Sequence, residues 1–396
     1  MPSYKLRDHA NNVTQPQMAM PRVALHLLTD FRPWAAPPGA HIGFLPFVAS
    51  MLSQSPSKWE THRDVEHYEK QWRPVISWLI GSAFSREAID LQGWSAAIPV
   101  SVLASSQAGS GPWPAYLAAA LSTPAVVVAR KRTGLMPDYL AVPTGSGRFA
   151  FFESKGGKHP TIDRKTPGST LKKQLAAWTQ QVCNARLIVN GQTQAAERWI
   201  AATRVHPGKR SRETYVRLWK VLCAKNEPSE THVDAPPDDG SSEIETNAAQ
   251  RERSVAALAA ISRAFTLHQL GLNATAKSVA VAAARLGSQA QGKQNADAYD
   301  RAMAELENLA SVSATGQTVR RISTFEFGRN NLRVHLGLLL SGLEDLQELM
   351  RAAIDPPDEI ATRWRARPRT EVRDLVVEGA SGAARADGFV AWNEPS

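Results

Sequence analysis

Two carboxylates and one ammonium, Asp138, Glu153 and Lys155, lie on two short apolar runs joined by a turn, Leu135-Met-Pro-Asp-Tyr-Leu-Ala-Val142 and Phe149-Ala-Phe-Phe-Glu-Ser-Lys-Gly156. Side chains of a strand alternate between faces, so Glu153 and Lys155 point one way and Ser154 the other. In the first run Asp138, Leu140 and Val142 share a face. Pro143-Thr-Gly145-Ser-Gly147 has the turn chemistry for an antiparallel return that brings Asp138 near Glu153. A hard divalent cation takes oxygen ligands, and magnesium is typically held by one or two carboxylates plus a substrate phosphate. Asp138 and Glu153 meet that need. Lys155 on the same face would orient or help deprotonate an attacking water and stabilise charge gathering on a phosphate. The bland alternative is an edge-strand ion pair of little energetic value.

The flanking elements must hold these groups in place. Ala125-Val-Val-Val-Ala129, followed by Arg130-Lys-Arg-Thr-Gly134, reads as a strand ending in a turn, and Trp113 to Leu121 ahead of it reads as a helix without a carboxylate. After Lys155, Ser169 or Thr170 caps a helix whose apolar stripe is Leu171, Leu175, Trp178 and Val182. A last strand is expected at Arg198 to Val205.

Pro137-Asp138 followed by Glu153-Ser154-Lys155, within the order helix, three strands, helix, strand, resembles the PD-(D/E)XK superfamily of restriction-endonuclease-like nucleases. The resemblance covers roughly residues 112–206. It implies an α/β core with a mixed central sheet flanked by helices, and magnesium, or manganese in its place, held by Asp138, Glu153 and the backbone carbonyl of Ser154. It also implies a role for Gln174, which matches a glutamine that a subset of the superfamily carries on the helix after the motif lysine and which would steady the water or the lysine. Some members add an acid from a helix before the strands. Glu66 or Glu69 could substitute for it if that helix folds against the site, although an exposed helix carboxylate is the expected role of each.

Composition sets the remaining bounds. The chain has 396 residues, enough for two or three domains, and its hydrophobic and charged content is that of an ordinary soluble globular protein. No apolar run approaches the roughly 18 residues that span a bilayer, and the polar amino terminus lacks the core of a secretory signal, so a cytoplasmic location is expected. Cys183 and Cys223 are too few for a disulfide framework or a closed zinc site and read as buried apolar residues. There is no phosphate loop and no nucleophile elbow. The histidines stand singly, and His159 reads as a surface residue. A formal charge of +9 favours polyanionic partners. Lys131, Arg132, Lys158, Arg164, Lys165, Lys172 and Lys173 flank the carboxylates as a phosphate-tracking surface, against the alternative of a solvated charged face.

Along the chain, residues 1–110 read as a loop-rich and helical cover, with a helix from Asp64 to Phe84 kinked or divided by Pro74, and 111–226 as the nuclease-like core. Residues 227–250 are an acidic linker. Residues 251–355 form a mainly helical accessory domain with a short hairpin at Thr318 to Val334 and a helix from Leu336 to Ala353, and 356–396 a partly ordered tail. The function expected is magnesium-dependent cleavage of DNA in bacterial phage defence or restriction, by a chain free of the membrane that forms a homodimer or recruits defence or repair proteins through its helical domain. The alternative is an inactive protein of the same fold that binds nucleic acid or recruits a partner.

Overall fold

The computed structural model describes residues 3–18, 20–30, 52–54, 58–61, 72–100, 103, 114–122, 126–131, 134–143, 149–157, 159, 161–189, 192–205, 213–223, 248–287, 295–327, 332–367, 374–385 and 387–393. Its amino-terminal elements are β1 (Lys5–Arg7), β2 (Val13–Thr14), α1 (Met20–Asp30), β3 (Leu52–Gln54), β4 (Trp59–Thr61), α2 (Trp72–Leu91) and β5 (Trp94–Pro99). Next come α3 (Ala115–Ser122), β6 (Val126–Arg130), β7 (Tyr139–Pro143), β8 (Phe149–Gly157), α4 (Ser169–Cys183), β9 (Ala185–Val189), β10 (Gln192–Gln194), β11 (Ala196–Arg204) and β12 (Tyr215–Lys220). The remainder holds α5 (Ala248–Gln269), α6 (Asn273–Gly287), α7 (Ala296–Glu307), β13 (Ala310–Ala314), β14 (Gln317–Phe327), β15 (Leu332–Leu339), α8 (Leu340–Arg351), α9 (Pro357–Ala366), β16 (Asp374–Val377), β17 (Ala380–Ala384) and β18 (Phe389–Asn393).

The chain is α/β, built on a mixed central sheet with helices on its faces. The sheet runs in the order β2-β1-β12-β11-β8-β7-β5. From β5 through β7 to β8 the neighbours are antiparallel, whereas β8 and β11 are parallel, with α4 as part of the crossover between them. Phe149, Phe151 and Phe152 are buried in β8, which lies in the middle of the sheet and is therefore apolar on both faces until Glu153.

Helix α2 lies directly on β8. A Cβ at Gly156 would fall 1.7 Å from the Ser77 carbonyl oxygen, and one at Gly81 would fall 2.7 Å from the Gly156 backbone. The small residues Ser77, Gly81 and Ser85 let this helix approach the sheet, and the Ser85 hydroxyl donates to the Ala201 carbonyl at 3.4 Å. Gly156→Ala forces the two backbones apart and is expected to cost about 1–3 kcal/mol, the range for overpacking, as read by urea unfolding.

Several expectations are corrected. The β-branched run at 126–130 is a strand outside the central sheet: β6 pairs with β9 in a separate three-stranded sheet, and the alanine-containing β5 takes the place beside β7. The amino terminus does more than cover the core, since β1 pairs in parallel with β12 and extends the sheet. Pro74 stands in the first turn of α2, where its missing N–H has no intrahelical acceptor to lose, so the helix runs on to Leu91. Residues 62–71, with Glu66 and Glu69, and the acidic stretch 224–247 lie outside the described residues, and α5 already begins at Ala248.

Strands join the helices of the carboxy-terminal region. Strands β13-β14-β15-β18-β17-β16 close a six-stranded barrel around Val319, Leu339, Val377, Val390 and Trp392. Leu336 to Leu339 belong to β15 rather than to a helix, and residues 357–393, read as a tail, supply α9 and half of the barrel strands. Cys183 and Cys223 are not buried apolar residues: they are bonded to each other and tie the end of α4 to the segment after β12. No helix among the described residues is long and apolar enough to cross a membrane.

Candidate metal centre

Asp138 immediately precedes β7. The antiparallel register pairs Tyr139 with Phe152 and Leu140 with Phe151, so its next step sets Asp138 opposite Glu153. Asp138 Oδ2 accepts a hydrogen bond from the Ser154 N–H at 2.8 Å, which fixes one carboxylate to the strand that carries the other. Lys155 Nζ forms an ion pair with Glu153 Oε1. Beside them in the parallel ladder Lys155 pairs with Ala202, and Ala202 packs with Leu171, Leu175 and Trp178 of α4. The Glu153 and Lys155 side chains therefore stand on the α4 side of the sheet, opposite the side where α2 meets Gly156.

Helix α4 bears on the site at both ends. Gln174, two turns from the start, has a buried Oε1 with no hydrogen-bond partner. At the other end Gln181 Nε2 donates to the Met136 carbonyl at 2.9 Å and Asn184 Nδ2 to the Leu135 carbonyl at 3.1 Å. These two bonds tether the Leu135-Met-Pro-Asp138 loop to the helix that carries Gln174.

Glu153 is fully buried, its carboxylate bonded to Lys155 and to the backbone of Asp138. Burial first, and then the negative charge of Asp138, push its carboxyl well above the ordinary carboxylate range, against the pull of Lys155. Two acids at such close quarters, one of them desolvated, form an environment that a divalent cation relieves. The donor set fits magnesium or manganese: carboxylate oxygens from neighbouring strands. Ser154 enters the geometry through its N–H on Asp138.

The basic residues divide by place. Arg164 and Lys165 are exposed in the turns between β8 and α4, and Arg217 holds their carbonyls, the second at 2.9 Å. Lys172 and Lys173 are exposed on the first two turns of α4, whose start has no acidic residue and no side-chain cap. Lys131 is exposed beyond β6, its N–H on the Asn184 carbonyl at 3.0 Å. Arg132 and Lys158 lie outside the described residues. His159, expected at the surface, is buried: its ring meets Trp178 edge-on at 5.2 Å and covers Gly157, where a Cβ would come within 3.0 Å of it.

No family model, curated protein or solved structure matches this chain. The assignment of the site therefore rests on its geometry.

A second cluster went unnoticed in the sequence. His26 of α1 and Glu87 and Asp90 of α2 place one ligand atom each within 4.8 Å of one another. Arg22 already supplies the cation there: its Nε forms an ion pair with Glu87 Oε2, and Nη2 lies 3.8 Å from Asp90. A guanidinium among the donors compensates their charge, and we read this cluster as structural. Only residues brought together from two helices compose it, so no spacing in the sequence announces it.

Proposed function

We propose that this chain is a magnesium-dependent nuclease that hydrolyses phosphodiester bonds of DNA and belongs to the restriction-endonuclease-like kind. One observation carries the reading: Asp138 and Glu153 face each other across adjacent strands, Lys155 shares the face of Glu153, and the Glu153 carboxyl is fully buried beside the Asp138 charge. The order of elements gives support. Helix α2, strands β5, β7 and β8, helix α4 and strand β11 follow the order helix, three strands, helix, strand, with α3, β6, β9 and β10 inserted, and β8 and β11 parallel.

When bound, the ion would supply a water acidic enough to attack at neutral pH and a Lewis acid for the phosphate oxygens. Asp138 and Glu153 would hold it, with the Ser154 carbonyl as a further ligand. Lys155 would donate to the attacking water and to the oxygens on which charge gathers. Gln174 Oε1, buried and without a partner, would accept from that water and keep it in line. Arg164, Lys165, Lys172 and Lys173 are the exposed cations that would follow the phosphate backbone beside the site. Phage defence or restriction, a cytoplasmic setting, homodimer formation for cutting both strands, and recruitment of other defence or repair proteins complete the proposal.

The rival is an inactive relative that holds nucleic acid without turnover. Digestion of circular and linear duplex, single strands and RNA with magnesium decides between them. Metal-dependent nicking by the parent that Asp138→Ala and Lys155→Ala both lose is expected; equal products from parent and variants would reject the enzyme.

A further inference from the structure

We propose that the Cys183–Cys223 disulfide is a redox latch on the metal centre, acting through Gln181 and Asn184 as positioning residues for Asp138. The proposal rests on the reading of Asp138 and Glu153 as metal ligands. Cys183 is the last residue of α4, flanked by the two side chains that hold the Asp138 loop: Gln181 on the Met136 carbonyl at 2.9 Å and Asn184 on the Leu135 carbonyl at 3.1 Å. Asn184 is itself buried, and its carbonyl accepts from the Lys131 N–H at 3.0 Å, so it binds the chain at Lys131 as well as at Leu135. The bond to Cys223 fastens this end of α4 to the exit of β12, which lies two strands from β8 in the same sheet. Helix end, loop and sheet thus form one closed circuit that includes Asp138.

The latch is within reach of reductants. Both cysteines are only partly buried, and the neighbouring Leu222 is 91% exposed. In a reducing compartment a bond of this kind persists only transiently and serves as a sensor. A dithiol opens it by thiolate attack on one sulfur, breaking the S–S bond to leave a mixed disulfide and one cysteine thiolate, which takes up a proton. The second thiol of the reductant, as thiolate, then displaces the other cysteine, so the protein gains two electrons and two protons while the reductant leaves as a disulfide. With the link cut, the end of α4 keeps its helix but loses its covalent stop, and the hydrogen bonds that aim Asp138 hold less of the time.

The test is Mn2+ titration of the full chain, oxidised and after dithiothreitol, with Cys183→Ser/Cys223→Ser, Asn184→Ala and Asp138→Asn beside it. Reduction is expected to weaken Mn2+ binding about tenfold, reversibly, within the usual span of coupling between sites. The double cysteine variant should bind at the reduced level with or without reductant, and Asn184→Ala should narrow the gap between the two states. Equal Mn2+ affinity of oxidised and reduced parent, with Asp138→Asn still impaired, overturns the latch and leaves the metal site standing. Binding that Asp138→Asn does not weaken overturns the metal site and the latch with it. Amide exchange separates a latch from general loosening: faster exchange over 134–143 with the barrel at 310–393 unchanged is expected, and a uniform rise throughout overturns the proposal.

Discussion

Glu153→Gln is expected to reduce metal-dependent cleavage by roughly a thousandfold while leaving the metal-free fold as stable as the parent or more so. Glutamine keeps the shape of a side chain packed at zero exposure, so no cavity opens. It removes the buried negative charge that burial and Asp138 both disfavour. The parent's penalty depends on pH with a definite sign. With its folded pKa above the unfolded value, Glu153 gives the folded state the greater share of protons between those two values, so its contribution to stability falls as pH rises through that window. The variant lacks this slope, and the stability difference between variant and parent should widen towards alkaline pH. Cleavage runs the other way, because proton and metal compete for the same carboxylate, and activity should fall as pH drops into the raised range of Glu153. Urea unfolding across pH, set against initial rates with magnesium, checks both. A variant destabilised by several kcal/mol would mean that Glu153 serves the fold, and the functional reading would lose its central residue.

The placement of Asp138, Glu153 and Lys155 was legible because its pattern is local. In β8 the alternation of Glu153, Ser154 and Lys155 fixes their faces once the strand exists, and the antiparallel pairing of β7 with β8 sets where Asp138 lies. Helix α4 was legible for the same reason, through the spacing of Leu171, Leu175, Trp178 and Val182. What local pattern does not encode is pairing partner. Val126 to Ala129 has strong strand propensity, yet that propensity is silent on whether the strand joins β7 or β9, and β5, with its serine and alanines, carries little signal of its own. The barrel was hidden in like manner. Ala380-Ser-Gly-Ala-Ala384 becomes a strand because β16 and β18 flank it, and the Leu336 run passes from strand to helix at Leu340 within one apolar stretch. The disulfide has no local signature, because its two cysteines are 40 residues apart and meet only once the fold brings the end of α4, the helix that carries Gln174, to the exit of β12.

Arg22→Ala is expected to cost about 3–5 kcal/mol, the cost of breaking a buried ion pair and stranding its partner. Arg22 ties together three elements that are distant in sequence: its Nε is on Glu87 and Nη2 near Asp90 of α2, and Nη1 donates to the Ala384 carbonyl of β17 in the barrel. Without it Glu87 remains buried beside Asp90, with His26 as a neutral donor at 2.7 Å. Burial alone would raise the Glu87 carboxyl, but the hydrogen bond from His26 and the charge of Arg22 hold it at about 2. A depressed carboxylate stabilises the fold above its unfolded value and loses that contribution as pH falls from about 4.5 towards 2. Burial lowers the His26 pKa, so below 6.5 the unfolded state takes up a proton that the folded state refuses, and stability begins to fall there; the raised Asp90 works in the opposite sense. Losing the Arg22 charge lets the Glu87 value climb back, so the Glu87 contribution disappears at higher pH than in the parent. Arg22→Ala should therefore unfold in acid at a pH where the parent is intact, beyond its loss at neutral pH. Metal binding at Asp138 and Glu153 should persist wherever the variant is folded, because the Arg22 cluster joins α1, α2 and the barrel away from the α4 side of the sheet. Melting followed from pH 7 to 4, with Mn2+ titration at the neutral end, measures both consequences; an unchanged acid limb would show that the guanidinium contributes no compensating charge.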